Sequence, residues 1–353
     1  MSQVRIGIIG AGWWVVTNDM PVFQSRSDVK IVSVCRRGRA ELKKIQEQFG
    51  IEFGDDDYRN LLDRKNLDAV VVSSPHHLHL EHASAALEAG YHVLCEKPMT
   101  LRAVHARQLE YLTEKMQRHF LIPYGWNYTE MAAKAREWVA SGRIGKVQHV
   151  LCHMASATRE LFSGKEFWLS KDDLLKPDLK AWSDPVRGGG FAHGQLTHAL
   201  ALLLYITELK VSEVFAFMGR SETGADLSDS ISCRFENGAT GTIGGAGMMP
   251  PKGPTHQVDI QIFGEDGVLL LDISKPNIEL RRNDGTTMIE SVNPELGKYS
   301  CVEPLHTFVN LIQGKPGVEN RSPASLGVRV VEILDGAFCS VASGRAVKVD
   351  SLN

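Results

Sequence analysis

The sequence predicts an α/β protein in which a doubly wound parallel sheet occupies the first third of the chain and a second domain follows. VRIGIIGAG (4–12) reads as a buried strand running into glycines, and continuous apolar strands then alternate with amphipathic helices. That alternation is typical of a parallel sheet covered by helices on both faces. A length of 353 residues also exceeds one comfortable core, so we divide the chain into domains 1–125 and 126–353.

The elements of the first domain follow in order along the sequence. After the first strand, further strands are predicted at IVSVC (31–35), DAVVVSS (68–74) and HVLC (92–95). Two helical segments, RAELKKIQEQF and HLEHASAALEA, are each followed by a glycine that is typical of a helix C-cap, at positions 50 and 90. Ligands of doubly wound sheets bind beyond the carboxyl ends of the strands, so the polar residues there form the candidate site.

The composition excludes several classes of partner. A formal charge of −3 and a pI near 6.5 disfavour nucleic acid, which usually binds a strongly basic surface. No apolar run approaches the ~20 residues that span a bilayer, and the first strand begins too early to leave room for a signal peptide. We therefore predict a protein that binds neither nucleic acid nor membrane.

The six cysteines are scattered along the chain, include no CxxC pair, and in several cases lie inside apolar runs. This distribution favours reduced core thiols over disulfides or a thiolate metal site. Reduced thiols, together with the early first strand, predict a cytoplasmic location.

The glycines after the first strand predict a dinucleotide-binding turn. Gly10 and Gly12 are the first two glycines of a G-x-G-x-x-G pattern, which permits a tight turn and close approach of the backbone to a pyrophosphate. Val15 occupies the third glycine position, which predicts looser packing of the following helix. Because the pattern follows the first strand of a βαβ unit, we predict a bound dinucleotide with Trp13 and Trp14 beside it.

The end of the second strand bears on which nicotinamide cofactor binds. An NAD site usually places an acidic residue about 20 residues after the glycines, where it binds the ribose 2′-hydroxyl. Here Arg36 and Arg37 stand at the strand end, and Glu41 is the first carboxylate. Two arginines could hold a 2′-phosphate, although they could also be solvated loop residues. The sequence therefore favours NADP(H) and leaves NAD(H) possible.

Residues 76–82 read HHLHLEH, which raises the question of a metal site because imidazoles at i and i+3 share one face of a helix. The stretch follows a predicted parallel strand, where a dinucleotide would pass. No further ligand of suitable spacing lies nearby in the sequence. We favour a role in the cofactor loop and at the start of the next helix, and we predict no metal.

Three segments form a distinctive set: GIIGAGW near the start, SSPHHLHLEHASAALEAGYHVLCEKP, and CEKPMT at 95–100. Together they resemble the glucose–fructose oxidoreductase/inositol dehydrogenase/rhizopine-catabolism (Gfo/Idh/MocA) family, over essentially the whole chain. The resemblance implies an N-terminal Rossmann domain and a C-terminal α+β domain with a large open, mostly antiparallel sheet. It also implies an NAD(P)-dependent oxidoreductase of sugars, polyols or their derivatives.

The resemblance implies further site residues in the first domain. Ser74, Pro75 and His79 match the S-P-x-x-x-H loop of the family, and Glu96 and Lys97 match its E-K-P element, so all five are expected at the cofactor. Lys97 is implied to lie between nicotinamide and substrate. Its place at a strand end independently suits a group that stabilises negative charge on a substrate oxygen. The alternative is a solvated loop lysine.

A second group of candidate residues lies in GGGFAHGQLTHAL (188–200), which reads as a glycine loop entering a helix. The resemblance implies that His198 accepts or donates the substrate proton, which its ordinary pKa suits. Many family members place an aspartate four residues earlier, where this chain has Gly194. Gln195 and His193 are therefore predicted as substrate contacts. A buried core histidine is the alternative for His198.

The strands of the second domain are predicted at 147–154, 231–243, 257–263 and 268–273. A loop at 159–184 could wall a sugar site, to which we assign His153 and Arg159 as substrate contacts. Aromatic faces for a sugar could come from Trp126, Trp168 and Trp182. A last helix at about 323–344 is expected to pack back on the first domain, as the resemblance implies.

The predicted function is an NADP(H)-preferring oxidoreductase that transfers hydride between the nicotinamide and a hydroxyl-bearing carbon of a cyclic sugar, glycoside or polyol. Lys97 would polarise the reacting oxygen, and His198 would exchange its proton. One alternative keeps the cofactor bound and uses transient oxidation for elimination or glycoside cleavage. Another is a non-enzymatic regulator that senses a dinucleotide or sugar. The fold is expected to form a homodimer or homotetramer.

Overall fold

The first domain is built on a six-stranded parallel sheet. The structure, a computed structural model, describes residues 3–165, 174–252, 256–275, 277–291 and 299–352. The strands are β1 (Val4–Ile9), β2 (Val29–Cys35), β3 (Phe53–Asp55), β4 (Ala69–Val72), β5 (His92–Cys95) and β6 (Phe120–Leu121). Their order is β3-β2-β1-β4-β5-β6, and every neighbouring pair is parallel. The predicted doubly wound sheet is therefore confirmed.

Helices cover both faces of this sheet, which explains why its central strands are mostly apolar. The helices are α1 (Met20–Gln24), α2 (Arg39–Phe49), α3 (Tyr58–Asp63), α4 (His79–Glu88) and α5 (Ala103–Met116). In β4 all four side chains are fully buried, with Val70 and Val72 in one core cluster and Ala69 and Val71 in the other. Alternate residues of a strand point to opposite faces, so a strand buried on both faces needs no polar positions.

The predicted glycine stops are confirmed at the ends of two of these helices. Gly50 caps α2 with a φ of +65°, and Gly90, with a φ of +88°, follows the last residues of α4. A residue with a side chain rarely adopts this left-handed conformation, whereas glycine adopts it without steric cost. Each helix therefore ends where the chain must turn toward the next strand.

The second domain contains a nine-stranded, mostly antiparallel sheet. Its strands are β7 (Val147–Ser156), β8 (Val211–Arg220), β9 (Asp226–Phe235), β10 (Thr240–Ala246), β11 (His256–Gly264), β12 (Gly267–Asp272), β13 (Asn277–Arg282), β14 (Thr287–Ser291) and β15 (Val347–Lys348). The order is β14-β13-β12-β11-β7-β10-β9-β8-β15, and the β7–β10 pair alone is parallel among these strands of the described chain. The predicted strand 231–243 contains two strands instead, because Gly238 (φ +89°) turns the chain between them.

Helices cover one face of this sheet, and among the described residues the side chains on the other face are largely exposed. The helices of the second domain are α6 (Glu130–Ala140), α7 (Arg159–Phe162), α8 (Leu179–Ser183), α9 (Thr197–Thr207), α10 (Val302–Ile312) and α11 (Ala324–Ser343). Helix α9 is buried over all but its last residue and packs on β7, α6 and α11. A π-helical turn (Ala192–Leu196) leads directly into it. Because α9 packs against three other elements, the π-helical turn and the first turn of α9 are held in place.

The two C-terminal helices pack against the first domain. Leu305 and Phe308 of α10 belong to the core cluster that also contains strand β1. The Asp335 carboxylate of α11 accepts a hydrogen bond from the backbone nitrogen of Ala103 at the start of α5 (2.8 Å), and Glu332 pairs with Arg107 of α5 (2.8 Å). These contacts fix how the second domain lies on the first, and so they position the cleft between the two.

No helix in the described ranges is long and apolar enough to cross a bilayer. All six cysteines fall within those ranges, and none of them forms a disulfide. Four of the six are buried, namely Cys35, Cys95, Cys152 and Cys233. Their burial agrees with the expected core thiols.

Candidate active site

A groove of about 680 Å³ runs along the carboxyl ends of the first-domain strands and reaches the second domain. The residues predicted to contact the cofactor all line it: Gly10, Gly12, Trp13, Trp14, Arg36, Arg37, Ser74, Pro75, His79, Glu96 and Lys97. The second domain contributes Pro177, Asp178, Ala181, Trp182 and Arg187, and we call residues 177–187 the roof segment. The groove thus lies where doubly wound folds bind dinucleotides.

Only glycine fits at position 10 of the turn after β1. Its φ is +87°, and a Cβ added there would overlap backbone atoms of Ser74 in the turn after β4. The two turns therefore pack backbone against backbone, which leaves the groove floor open to a pyrophosphate. Val15, at the third glycine position, is fully buried and begins a π-helical turn (Val15–Asp19). The expectation of looser helix packing there stays a prediction, because burial of the valine side chain does not give the spacing between helix and strand.

Arg36 and Arg37 stand at the end of the groove next to β2. Arg36 is partly buried, and its side chain donates to the carbonyl oxygens of Ala11 (3.1 Å) and Arg37 (3.0 Å). It therefore supports the glycine turn and keeps further N–H groups available. Arg37 is exposed. Burial is the largest cause that lowers the pKa of His77 and of His82, and the positive charge of Arg37 lowers both further.

Carboxylates at the end of β3 share this end of the groove. Asp56 and Asp57 line it together with Tyr58 and Arg59. Asp57 accepts from the backbone nitrogen of Arg59 (2.9 Å), which caps α3, and also pairs with the Arg59 side chain (3.3 Å). Reasoning from the end of the second strand misses these residues. The run GDDDY (54–58) is the sequence signal that identifies them.

The histidine-rich stretch forms hydrogen bonds to protein oxygens. His79 is fully buried, with Nδ1 2.8 Å from the carbonyl oxygen of Pro98 and Nε2 2.8 Å from the carbonyl oxygen of Ser74. Burial lowers the pKa of His79 to about 4. His82 Nδ1 lies 2.8 Å from the hydroxyl of Ser74. These contacts lie between the loop after β4 and the loop after β5, both of which line the groove.

His76 connects the two domains. Its Nδ1 donates to the carbonyl oxygen of Gly188 (2.9 Å), and its ring meets the indole of Trp182 edge-on at 5.9 Å. Burial lowers its pKa well below the ordinary value. Over the described ranges, no group of three histidine, cysteine, aspartate or glutamate side chains is arranged to hold a metal ion.

Two acidic side chains lie beneath the reactive end of the groove. Glu96 accepts from the indole nitrogen of Trp14 (3.0 Å) and from the backbone nitrogen of Lys97 (3.2 Å). Asp19, from the π-helical turn after the glycines, is almost fully buried. Burial, and then the charge of Glu96, hold the pKa of Asp19 well above its usual value. Burial also raises the pKa of Glu96. Sequence patterns give no signal for Asp19.

Lys97 reaches across the domain boundary. It is 5% exposed, and its Nζ donates to the carbonyl oxygen of Gly194 (3.0 Å) in the second domain. The amine also lies over two indoles, 5.6 Å from the ring centre of Trp14 and 5.7 Å from that of Trp182. Burial lowers the pKa of Lys97. The Lys97–Pro98 peptide bond is cis.

His198 lies on the first turn of α9, inside a ring of aromatic side chains. Tyr124, Trp126 and Tyr299 meet its imidazole edge-on, with centroids 5.9, 5.8 and 5.0 Å away. Burial, and then the charge of Lys97, hold its pKa well below the ordinary value. Its Nδ1 has no hydrogen-bond partner among the described residues. The imidazole is therefore neutral near pH 7.

Gln195 and His193 lie on the π-helical turn that precedes α9. Gln195 is partly exposed and follows Gly194 directly. His193 is buried and stacked on Phe338 of α11, with ring centres 4.6 Å apart, and neither of its nitrogens has a partner in the described part of the chain. Burial lowers the pKa of His193 to about 4. The structure thus turns His193 toward the last helix, whereas Gln195 stays beside the residue that holds Lys97.

Two predicted substrate contacts, His153 and Arg159, do not line the groove. His153 is exposed on the open face of β7, beside Gly244, while its neighbours Cys152 and Met154 point toward the core. The position of His153 therefore gives no support to a substrate contact, because the strand alternation turns it away from α9. Arg159 is exposed at the start of α7. Trp168 lies outside the described residues.

The family models match both domains. The model described as "Oxidoreductase family, NAD-binding Rossmann fold" matches residues 4–124. The model described as "GFO/IDH/MocA C-terminal domain" matches residues 132–270. Together they account for most of the chain, and their boundary falls at the helix that opens the second domain.

Curated relatives are enzymes of cyclic and sugar substrates. The chain is 24% identical over 242 residues to 1-carboxy-3-chloro-3,4-dihydroxycyclohexa-1,5-diene dehydrogenase of Comamonas testosteroni, covering 68% of this chain and 57% of the relative. It is 30% identical over 225 residues to D-xylose 1-dehydrogenase (NADP+) of Hypocrea jecorina, covering 61% and 56%. It is 26% identical over 326 residues to myo-inositol 2-dehydrogenase of Thermotoga maritima, covering 89% and 90%. The chain thus spans little more than half of the first two relatives.

A solved levoglucosan dehydrogenase, in complex with NADH and levoglucosan, has the same fold. Its TM-score is 0.75 at 19% identity, and the comparison covers 99% of this chain and 100% of that chain. At this identity the likeness concerns the fold, which agrees with a six-stranded Rossmann sheet followed by a large mixed sheet. Because the two family models match its two domains in order, the chain belongs to the GFO/IDH/MocA oxidoreductase family.

Proposed function

We propose that this protein is an NAD(P)-dependent dehydrogenase of a hydroxyl-bearing carbon in a cyclic sugar, glycoside or polyol. The observation that carries the proposal is the buried Lys97 amine at the end of the dinucleotide groove. Burial lowers the pKa of His198, and the charge of Lys97 is the next cause that lowers it. The family and the names of its relatives support the substrate class.

Lys97 and His198 have distinct roles in the proposed reaction. During oxidation, the substrate hydroxyl gives its proton to a nitrogen of the neutral His198 imidazole. The Lys97 ammonium donates a hydrogen bond to the same substrate oxygen and stabilises the negative charge that develops there. A nicotinamide bound in the groove would supply the acceptor of the hydride that leaves the substrate carbon. The glycine turn, with no room for a side chain at Gly10, fits such a cofactor.

We also propose a preference for NADP(H). Arg37 is exposed at the groove end, and Arg36 keeps N–H groups beyond those that bind the Ala11 and Arg37 carbonyls. A 2′-phosphate there would receive charge-assisted hydrogen bonds. Asp56 and Asp57 line the same end and would suit the ribose hydroxyls of NAD(H). Asp57 is already paired with Arg59, which favours the phosphate over the free ribose.

The proposed function is tested by incubating the protein with NADP+ or NAD+ and a panel of cyclic sugars, glycosides and inositols, and following the absorbance of the reduced nicotinamide. Lys97→Met should lower kcat/KM by roughly 10²–10⁴-fold, the range of one acid–base or charge-stabilising group. Lys43→Met, at an exposed lysine of α2, is the matched control and should keep wild-type turnover. Full turnover in Lys97→Met would refute the mechanism. Tight NADPH binding without turnover of any substrate would favour a sensor.

A cofactor that stays bound through many turnovers is the second candidate. The roof segment lines the groove from the second domain, and His76 hydrogen-bonds Gly188 just beyond it. Both features would retain a bound dinucleotide. Loading with NADPH and then desalting measures retention. Stoichiometric cofactor after desalting, together with elimination or glycoside cleavage and no net reduction of added NADP+, would replace the dehydrogenase proposal.

We further propose a homodimer or homotetramer that buries the open face of the nine-stranded sheet. Phe217 of β8 is 68% exposed on this face, and its ring meets that of Phe215 at 5.0 Å. An exposed apolar patch of this kind is typical of an interface. Light scattering should give a multiple of the chain mass, and Phe217→Glu should shift it toward the monomer. A wild-type monomer would contradict the proposal.

A further inference from the structure

The Lys97 amine is held by a backbone group rather than by a side chain. Its Nζ donates to the carbonyl oxygen of Gly194 (3.0 Å), 97 residues further along the chain. Gly194 is the central residue of the π-helical turn Ala192–Leu196. Such turns are rare and frequently occur at functional sites. The bond spans the boundary between the two domains.

No side chain fits at position 194. A Cβ added to Gly194 would lie 2.6 Å from Cζ and 2.7 Å from Cε1 of Phe162. The Phe162 ring is fully buried between Phe191 and Trp182, each with its centroid 6.3 Å away. The Phe162 backbone is also anchored, because its carbonyl accepts from the hydroxyls of Ser221 and Thr223 (both 3.3 Å). The ring therefore cannot move aside without disturbing its neighbours.

The charges around Lys97 make the nature of this acceptor important. Titratable groups from every neighbouring element interact with the amine or with its partners, namely Asp19, His76, Glu96, His198, Tyr299 and Cys301. Burial and the surrounding charges raise the pKa of Asp19 and of Cys301 and lower the pKa of both imidazoles. Against burial, Glu96 and then Cys301 raise the pKa of Lys97. A carbonyl at 194 orients the amine and contributes no further anion.

We propose that Phe162 and Gly194 form a positioning pair: the Phe162 ring keeps position 194 free of a side chain, so that the neutral Gly194 carbonyl fixes the Lys97 amine without adding a negative charge. The role of this pair in turnover rests on the proposed dehydrogenase function. The effect of the pair on the Lys97 amine is independent of that function. The pair itself touches neither reacting atom, so it acts through Lys97 alone.

The steric part is tested by a double-mutant cycle of urea unfolding. Gly→Ala inside a helix ordinarily raises stability, so a lower urea midpoint for Gly194→Ala than for wild type would support the overlap with Phe162. Phe162→Leu lacks Cε1 and Cζ, the two overlapping atoms. Gly194→Ala should therefore raise the midpoint when introduced into Phe162→Leu. A raised midpoint in the wild-type background would overturn the steric argument.

The electrostatic part is tested by titrating Lys97 directly. Protein labelled with 13C-lysine gives an NMR signal for each lysine side chain, and Lys97→Met identifies the signal of Lys97. We expect the same pKa in wild type and in Phe162→Leu, and at least tenfold higher proton affinity in Gly194→Asp/Phe162→Leu, because an opposite charge nearby favours the ammonium. An unchanged Lys97 titration in the double variant would overturn the proposal.

Turnover separates this inference from the proposed function. If the Lys97 titration shifts as expected while no substrate is turned over by wild type, the dehydrogenase proposal fails and the positioning pair stands. With turnover, the basic limb of the kcat/KM pH profile should move to higher pH in Gly194→Asp/Phe162→Leu and stay in place in Phe162→Leu. A limb that moves equally in both would show a packing effect and overturn the charge argument.

Discussion

Replacing Arg37 by alanine is the sharpest test of how the groove selects its cofactor. The Arg37 side chain is exposed and lines the groove end. Burial lowers the pKa of His77 and of His82 there, and the charge of Arg37 is among the charges that lower both further. Arg36 occupies the same end but also donates to the Ala11 carbonyl (3.1 Å). Removing Arg37 therefore removes a phosphate donor alone, whereas removing Arg36 also weakens the glycine turn.

The size of the effect follows from the type of bond that is lost. A hydrogen bond to a charged group contributes about 1.5–3 kcal/mol, which corresponds to roughly 10–150-fold in Kd. Because Arg37 is exposed and screened by salt, we expect the lower part of that range, roughly 10–30-fold weaker NADPH binding. NADH lacks the 2′-phosphate and should bind Arg37→Ala as it binds wild type. Arg36→Ala should weaken both cofactors.

Calorimetric titration of NADPH and NADH into each variant measures these differences. Arg39→Ala is the matched control, since Arg39 is an exposed arginine at the start of α2 that does not line the groove. It should leave both affinities unchanged. Equal losses of NADPH and NADH affinity in Arg37→Ala would refute the phosphate assignment, and tighter NADH than NADPH binding by wild type would refute the preference itself.

Three further predictions concern stability and the glycine turn. Asp335→Ala should lower the free energy of unfolding in urea by about 1–3 kcal/mol, because the Ala103 N–H loses its acceptor (2.8 Å), whereas Asp335→Asn keeps an oxygen and should lose less. Burial, and then the charge of Asp226, raise the pKa of Asp229 in the folded protein. The contribution of this carboxyl group to the free energy of unfolding is therefore complete below about pH 4 and is lost as the pH rises through the folded-state pKa. Asp229→Asn should therefore gain stability over wild type at pH 8 and none at pH 4, and parallel urea profiles at both pH values would contradict this. Gly10→Ala should lower both the urea midpoint and NADPH affinity, because its Cβ overlaps the turn after β4; unchanged affinity by titration would exclude that packing.

The first domain was predictable because its determinants are local. The four longest strands are mostly apolar runs, and glycines at 50 and 90 mark where α2 and α4 end. The second domain was less predictable, because one face of its sheet is exposed and its strands alternate between buried and exposed residues. The segment 231–243 hides a turn at Gly238, so the pattern merges β9 with β10. The cap that Asp335 provides for α5 comes from a helix more than 200 residues away, and no local pattern contains it.

The candidate site divides in the same way. Gly10 and Lys97 were predictable because a tight turn and a strand-end lysine are each defined by a few consecutive residues. The groove also contains Trp182 of the roof segment, and Lys97 is held by the carbonyl of Gly194. Both contacts arise when the second domain docks on the first. A glycine in the sequence predicts freedom of the backbone and says nothing about what its carbonyl will accept.

The histidine-rich stretch shows how position and burial, more than composition, determine what a cluster of residues does. Imidazole is a metal ligand when neutral, and burial lowers the pKa of His76, His79 and His82 alike. A neutral ring also has one donor and one acceptor nitrogen, which suits it to join loops. Here each of the three rings lies within hydrogen-bond distance of a protein oxygen, and His79 lies between two carbonyl oxygens, of which a neutral ring donates to one. A metal would have to displace these bonds, which hold the loops after β4 and β5 and the second domain around one groove. These histidines therefore hold in place the loops that line the dinucleotide groove.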